Sequence, residues 1–223
     1  VKKIKSIGNI KFLKQKKNKN LSPQNINFKE FKKKKIWIAA STHYDEEITC
    51  IKSHLDLKKK INNLMTIIIP RHIDRVKNIK YEINKLGLNV TLHTQKKSNL
   101  NNVDIYIVDT IGDTDKFYKI APTVFMGKSL QNFKKGGQNP IEPARFGAKI
   151  LHGPNVGNFK EVYKLFNKLK ISKLVKNQTQ LTKEINFKKN KNITNKIDKI
   201  GLKTFEIVKK ELDNLINHEF KKT

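Results

Sequence analysis

The chain has 223 residues, room for one sizeable domain with extensions at roughly 100–200 residues per domain, and its 37% hydrophobic content is enough for a core. A formal net charge of +29 suits an anionic membrane surface better than nucleic acid, because only three of the 48 basic residues are arginine (Arg71, Arg75 and Arg145) and lysines fall in every segment. A single cysteine, Cys50, excludes an internal disulfide framework and a Cys-based zinc site, and no run approaches the ~20 apolar residues that span a bilayer.

Residues 1–34 are rich in Lys and Asn, with Gly8-Asn9-Ile10-Lys11-Phe12 the one patterned island, and are expected to be a linker or the tail of an absent domain. The chain opens on Val1 with no signal peptide, so a fragment lacking its N-terminal part is expected. Lys35–Ser41 is a short apolar run suited to a buried strand. Ser41-Thr42 can cap the following helix, whose first turn holds Asp45, Glu46 and Glu47 and whose last turn holds Lys58–Lys60. Leu64–Ile69 is a second strand, stopped by Pro70, and Arg71-His72 lead into a helix from Asp74 to Leu86 ended by Gly87.

Asn89–Thr94 and Val103–Val108 read as the third and fourth strands, Asp113–Ile120 as a short helix and Thr123–Gly127 as the fifth strand. A helix to Phe146, a strand at Lys149–His152, a helix from Asn158 to Lys170, a short strand beyond Ser172 and a helix near Thr179–Phe187 come next. A final amphipathic helix over Asn195–Phe220 repeats Ile197, Ile200, Phe205, Val208, Leu212, Leu215 and Ile216 near helical spacing and reads as a packing element, not a membrane anchor. The alternation predicts an α/β fold: a Rossmann-like parallel sheet over 35–187 with helices on both faces, then a helical extension over 188–223.

Between the fifth strand and the next helix lies Lys134-Lys135-Gly136-Gly137-Gln138-Asn139-Pro140-Ile141-Glu142-Pro143. Gly136 and Gly137 let backbone approach a ligand; Asn139 reads as an N-cap, Pro140 as the first helical residue and Glu142 as the third. Such a start attracts anions, although Glu142 can equally cap its own helix. Parallel sheets bind ligands outside the carboxyl ends of their strands. There the chain places Ser41-Thr42-His43, Pro70-Arg71-His72, Asp109-Thr110-Ile111-Gly112-Asp113, Gly127-Lys128-Ser129 and the glycine segment. Hydroxyls, an arginine, backbone N–H groups and a carboxylate suit a phosphate and a polyhydroxyl group, not metal-centred chemistry. Asp109 reads equally as a ligand contact or a turn cap, whereas His43 can touch the donor but, just inside a helix start, reads more readily as a structural capping or packing residue. Lys134 and Lys135 can steer an anion or be ordinary surface lysines.

Five of these stretches occur in an order that resembles the C-terminal half of the 3-deoxy-D-manno-octulosonic acid (Kdo) transferases. They are Trp37–His43 with Glu46-Glu47, Pro70-Arg71-His72, Asp109-Thr110-Ile111-Gly112, Phe125–Leu130 and Gly136–Pro143, and Gly8–Phe12 resembles the family's domain-junction segment. The resemblance implies the donor-binding domain of a two-domain GT-B glycosyltransferase of lipopolysaccharide inner-core synthesis. Such enzymes move Kdo from CMP-Kdo to a lipid A precursor, without a metal or other cofactor, at the cytoplasmic face of the inner membrane.

It further implies CMP-binding positions at Pro70, Arg71, Ile111, Gly112, Asp113, Asn139, Pro140, Ile141 and Glu142, with Ser41, Thr42, His43, Gly136 and Gly137 beside them. Lys11 matches a lysine that stabilises the transition state. The catalytic base and the acceptor site belong to the absent N-terminal domain, so the chain alone is expected to be inactive. Departures are Gln138 where the family has His, Lys128 where it has Gly, Asp113 where it has Glu, Tyr44-Asp45 where it has Glu-Gly, and Leu13 where it has Asp. A different GT-B transferase or epimerase using a UDP-sugar, and a basic nucleic-acid-binding protein, are the rival readings.

Overall fold

The structure is a computed structural model that describes residues 9–13, 28–95, 99–131 and 135–219. After a 3-10 turn at Ile10–Phe12 come α1 (Phe28–Lys32), β1 (Lys35–Thr42), α2 (Glu46–Lys58), β2 (Leu64–Pro70), α3 (Val76–Lys85), β3 (Val90–Leu92) and β4 (Ile105–Ile107). These are followed by α4 (Thr114–Tyr118), β5 (Thr123–Met126), α5 (Ile141–Arg145), β6 (Lys149–His152), α6 (Lys160–Lys168), β7 (Ser172–Leu174), α7 (Gln178–Glu184) and α8 (Lys191–Glu219). The strands form one parallel sheet of order β3-β4-β2-β1-β5-β6-β7. The chain moves one way from β1 and returns to β1's other side at β5, so the topological switch point lies between those two strands.

Side chains alternate across a strand, and both faces here are covered, which is why the strands read as unbroken apolar runs. Ile36, Ile38 and Ala40 of β1 enter one core with Met65, Ile67, Ile69, Val124, Met126 and Ile150. Trp37 and Ala39 enter the other with Leu64, Ile68, Ile105, Ile107, Phe125 and Leu151. Each of the buried Ile, Leu, Val, Met and Phe side chains contributes about 1.5–3 kcal/mol.

β3 and β4 are shorter than the sequence pattern implies. Gln95 Oε1 accepts the Leu92 N–H and the Thr91 hydroxyl, both at 3.1 Å, and ends β3 in a 3-10 turn. Asp104 anchors the amino end of β4 by accepting from Lys58 Nζ (2.6 Å) and the Asn89 N–H (3.0 Å). The stretch before residue 35, read from sequence as a linker, places Phe12 and Phe31 in the core. Phe31 packs edge-on against Tyr106 and Phe117 at 5.1 and 6.0 Å between centroids.

Helix α8 begins four residues before the expected Asn195. Ile193, Ile197, Gly201 and Thr204 are its buried face. A Cβ on Gly201 would stand 2.5 Å from the Phe12 carbonyl, so only glycine lets the helix lie on the turn at 10–12. Farther along, Phe205, Leu212, Leu215 and Ile216 are exposed. No described helix is long and apolar enough to cross a membrane.

Candidate functional site

At the switch point the loops after β1 and β5 meet. The β1–β2 ladder shifts register between Ala40 and Thr42, with Ser41 at φ 52°. A Cβ on Gly127 would lie 2.4 Å from the Ser41 carbonyl oxygen, so the two backbones touch. Ser41 and Thr42 do not cap α2, contrary to the sequence reading. Asp45 occupies the cap position at φ 65° without a side-chain bond, and the first-turn Glu46 N–H donates instead to the His43 carbonyl at 3.1 Å. Glu46 is 1% exposed. Its Oε2 accepts from the N–H groups of His43 (3.0 Å) and Lys128 (2.6 Å), and its Oε1 from those of Ser129 (2.8 Å) and Leu130 (3.0 Å). Burial pushes this carboxyl up, against the four donors that stabilise its charged form. Thr42 is buried, and its carbonyl accepts the Arg71 N–H at 3.0 Å.

The three arginines part company here. Arg75 grips Glu47 with both terminal guanidinium nitrogens, which donate to Oε1 and Oε2 at 2.9 and 3.1 Å. Arg145 donates to the Lys11 and Leu13 carbonyls, each at 2.5 Å. Arg71, beside buried Pro70 at the end of β2, is exposed, and its guanidinium bonds no described residue. Of the three arginines, it alone has a guanidinium that bonds no described residue.

His43 stands between these loops, its ring edge-on to His72 at 5.5 Å. Burial, then the charges of Lys128, His72, Arg75 and Arg71, push its pKa down from 6.5 to about 4. Between those values the unfolded chain takes up a proton that the native state refuses, so this contribution to stability is present above pH 6.5 and lost as pH falls toward 4. In urea titrations, His43→Gln is expected to flatten the fall in stability across that window; an unchanged slope would assign the loss to other groups.

Beyond β4, the Asp109 carboxylate accepts from the Thr94 N–H (3.0 Å) and hydroxyl (2.6 Å), which makes Asp109 a turn cap and not an open ligand group. Asp113 accepts from the Thr110 hydroxyl (2.7 Å) and Lys116 Nζ (2.5 Å). Burial works against its charge, but these bonds and the Lys116 charge hold its carboxyl below the usual range. Its side chain is therefore engaged. The N–H groups of Ile111, Gly112 and Asp113 bond no described residue, Gly112 lies at φ 94°, and Ile111 is 85% exposed. The loop offers backbone donors and one apolar side chain.

In the glycine segment, Lys134 lies outside the described residues, and Lys135 is exposed. The Gly136 N–H donates to Asn155 Oδ1 (3.0 Å) and the Gly137 N–H to the Lys128 carbonyl (2.5 Å), with Gly137 at φ 85°. Gly136 O accepts the Asn158 N–H at 2.9 Å, and Gln138 O accepts the Tyr163 hydroxyl at 2.9 Å. Both glycines thus shape the segment and have no N–H to give. The N–H groups of Gln138 and Asn139 bond no described residue.

Asn139 is not the N-cap. Its Oδ1 accepts the Ile141 N–H two residues on (3.1 Å), an Asx turn that leaves Pro140 in the cap position and starts α5 one residue later than expected. Glu142 is exposed and closes no capping box; it lies near Tyr118 of α4, where its charge adds to burial in raising the phenol. Lys11 sits on the turn that Arg145 clamps, its Nζ 5.0 Å from the Phe159 ring centroid.

The structure brings together loops the sequence had named and adds residues it had not: Glu46 as a bridge, and Asn155, Asn158 and Tyr163 as pegs under the glycine segment. The buried histidines His54, His93 and His152 are held by hydrogen bonds inside the fold. His54 bonds Thr66 (2.9 Å), His93 bonds Tyr106 (2.7 Å) and His152 bonds the Gly153 carbonyl (2.7 Å). The side chain of His218 lies outside the description.

No protein-family model matches the sequence. Among curated proteins, a 3-deoxy-D-manno-octulosonic acid transferase of Rickettsia bellii is 33% identical over 159 residues, 71% of the chain and 37% of that protein. The protein of the same name from Haemophilus influenzae is 32% identical over 130 residues, 58% of the chain and 30% of that protein. A bifunctional glycosyltransferase/methyltransferase of Fusobacterium nucleatum is 29% identical over 235 residues, 98% of the chain and 34% of that protein. The chain spans about a third of the length of these relatives. Among solved structures, the C-terminal CMP-Kdo binding domain of WaaA from Acinetobacter baumannii matches with a TM-score of 0.66 at 18% identity, over 82% of the chain and 94% of that domain. That likeness is one of fold.

Proposed function

We propose that this chain, a relative of the 3-deoxy-D-manno-octulosonic acid transferases, is the half of such an enzyme that holds the CMP-Kdo donor. The observation that carries the reading is Arg71: two of the three arginines are taken up by Glu47 and by backbone carbonyls, while the third faces solvent at the exit of β2, the neighbour of β1. A guanidinium meets a phosphate through charge-assisted, often bidentate, hydrogen bonds. The unbonded N–H groups of Ile111, Gly112, Asp113, Gln138 and Asn139 add donors along the same sheet edge.

In this reading Pro70 sets the exit of β2, Ile111 supplies apolar cover for a flat ring, and Glu142 accepts from a ribose or base donor. Ser41, Thr42, Gly136 and Gly137 shape the rim, and Asp113 contributes through its backbone. As the anomeric carbon becomes cationic, charge accumulates on the departing CMP. Donors already oriented there stabilise the transition state more than the ground state, a role that needs no metal or other cofactor. Lys11 is the residue proposed to add a cation to that transition state.

In this reading the lipid A precursor and the catalytic base belong to an N-terminal half of the enzyme. Its basic surface suits the anionic cytoplasmic face of the inner membrane. The decisive comparison is thermal. At ligand concentrations about 100 times Kd, CMP is expected to stabilise the chain by about 2.7 kcal/mol, while UDP does not. Equal protection by UDP would favour a UDP-sugar enzyme, and no shift with either would remove the donor reading.

A further inference from the structure

Lys128 lies at φ 56°, and the three successive N–H groups of Lys128, Ser129 and Leu130 turn toward one point. Consecutive amides of this kind form a concave nest that attracts an anion such as a phosphate. At the switch point of a parallel sheet a bound ligand would be the expected occupant. Here the occupant is a side chain of the chain itself. Glu46 reaches over from the first turn of α2, and its two oxygens take all three amides plus the His43 N–H from the opposite loop.

We infer that Glu46 is a positioning residue: a built-in anion that fills the nest after β5, ties the β1 and β5 exits together and leaves the ligand's phosphate to the Arg71 side of the edge. The inference rests on the donor-site reading for what those loops hold, and on the hydrogen bonds alone for the filled nest. Four consequences of the geometry support it. The carboxylate is buried away from solvent, with Glu46 only 1% exposed. Each of its oxygens already accepts two bonds. The Gly137 N–H donates to Lys128 O, so the glycine segment hangs from the same turn. The Ser129 hydroxyl accepts the Gly153 N–H at 2.8 Å, so the β6 exit hangs from it too.

The test uses the full chain with Glu46→Ala and Glu46→Gln, measuring melting temperature and CMP affinity with and without formate. Glu46→Ala empties the nest; it is expected to melt lower and to bind CMP at least about tenfold more weakly. Formate in the tens of millimolar, a carboxylate small enough to enter, should restore both properties, while chloride at matched ionic strength restores neither and the unsubstituted chain ignores formate. Glu46→Gln keeps the volume but turns an amide NH2 toward backbone donors. It should lose affinity without rescue, because the nest stays filled.

Melting of Glu46→Ala that formate leaves unchanged, or equal rescue of the glutamine variant, would overturn the filled nest. Should the alanine variant not fold, wild-type CMP affinity in Glu46→Gln would overturn the positioning role. Failure of the unsubstituted chain to bind CMP would defeat only the donor reading, since the formate effect on melting still decides the nest.

Discussion

Arg71→Ala is expected to weaken CMP binding about 100-fold in calorimetry while leaving the melting temperature of the free chain unchanged. A hydrogen bond to a charged group contributes about 1.5–3 kcal/mol, and a bidentate guanidinium–phosphate pair makes two. A loss near 3 kcal/mol corresponds to about 100-fold. The fold should not notice, because the Arg71 guanidinium bonds no described residue and its one structural tie, the N–H to Thr42 O, belongs to the backbone. Arg71→Lys keeps the charge but loses the fork, so about tenfold is expected there. Arg75→Ala should do the reverse: removing it leaves the buried Glu47 carboxylate unpaired, which lowers stability. Equal CMP affinity in Arg71→Ala and the unsubstituted chain would move the phosphate elsewhere on the edge.

The strands were legible because burial on both faces leaves no alternative to runs such as Trp37–Ala40 and Leu64–Ile69, and the order of strands and helices then implied the parallel sheet. The site loops were legible for the same reason, since ligands of such sheets collect where strands end. What escaped was whatever depends on distance across the fold. Glu46 in a helix first turn looks the same in sequence whether it faces water or receives four N–H groups from two loops. Asn139 is the right residue type for an N-cap and for an Asx turn, and the two readings differ by one residue of register.

Lys128 stood out as a break in the family pattern, yet its meaning is conformational. The turn takes φ 56° there, a region where glycine pays no steric cost and lysine does. Phe12 and Phe31 were hidden by their neighbours, as single aromatic residues in a run of Lys and Asn carry no periodicity. Asp109 and Asp113 were visible as acids at a strand end, but their hydrogen bonds to Thr94, Thr110 and Lys116 could not be read from composition.

Gly153→Ala is expected to be the most damaging Gly→Ala change among the described residues, because it strikes the junction on which these loops depend. A Cβ at 153 would stand 2.1 Å from the Ser129 carbonyl oxygen and 2.5 Å from the Leu130 nitrogen, backbone atoms that no rotamer change can move. The strand exits would have to separate. Doing so stretches the Gly153 N–H to Ser129 Oγ bond (2.8 Å) and the Asn155 N–H to Ser129 O bond (2.9 Å), and shifts the Ser129 and Leu130 amides away from Glu46. Overpacking of a tight site costs about 1–3 kcal/mol before such bonds are counted, so a loss of about 3 kcal/mol or more is expected. For a chain of this length that lowers the melting temperature by about 6–12 °C. Gly157→Ala is the matched control four residues on. No atom lies within 4 Å of its Cβ, and its φ is an ordinary one, so that variant should match or slightly exceed the parent. Similar melting of the two variants would mean that the β5 and β6 exits do not lie in contact.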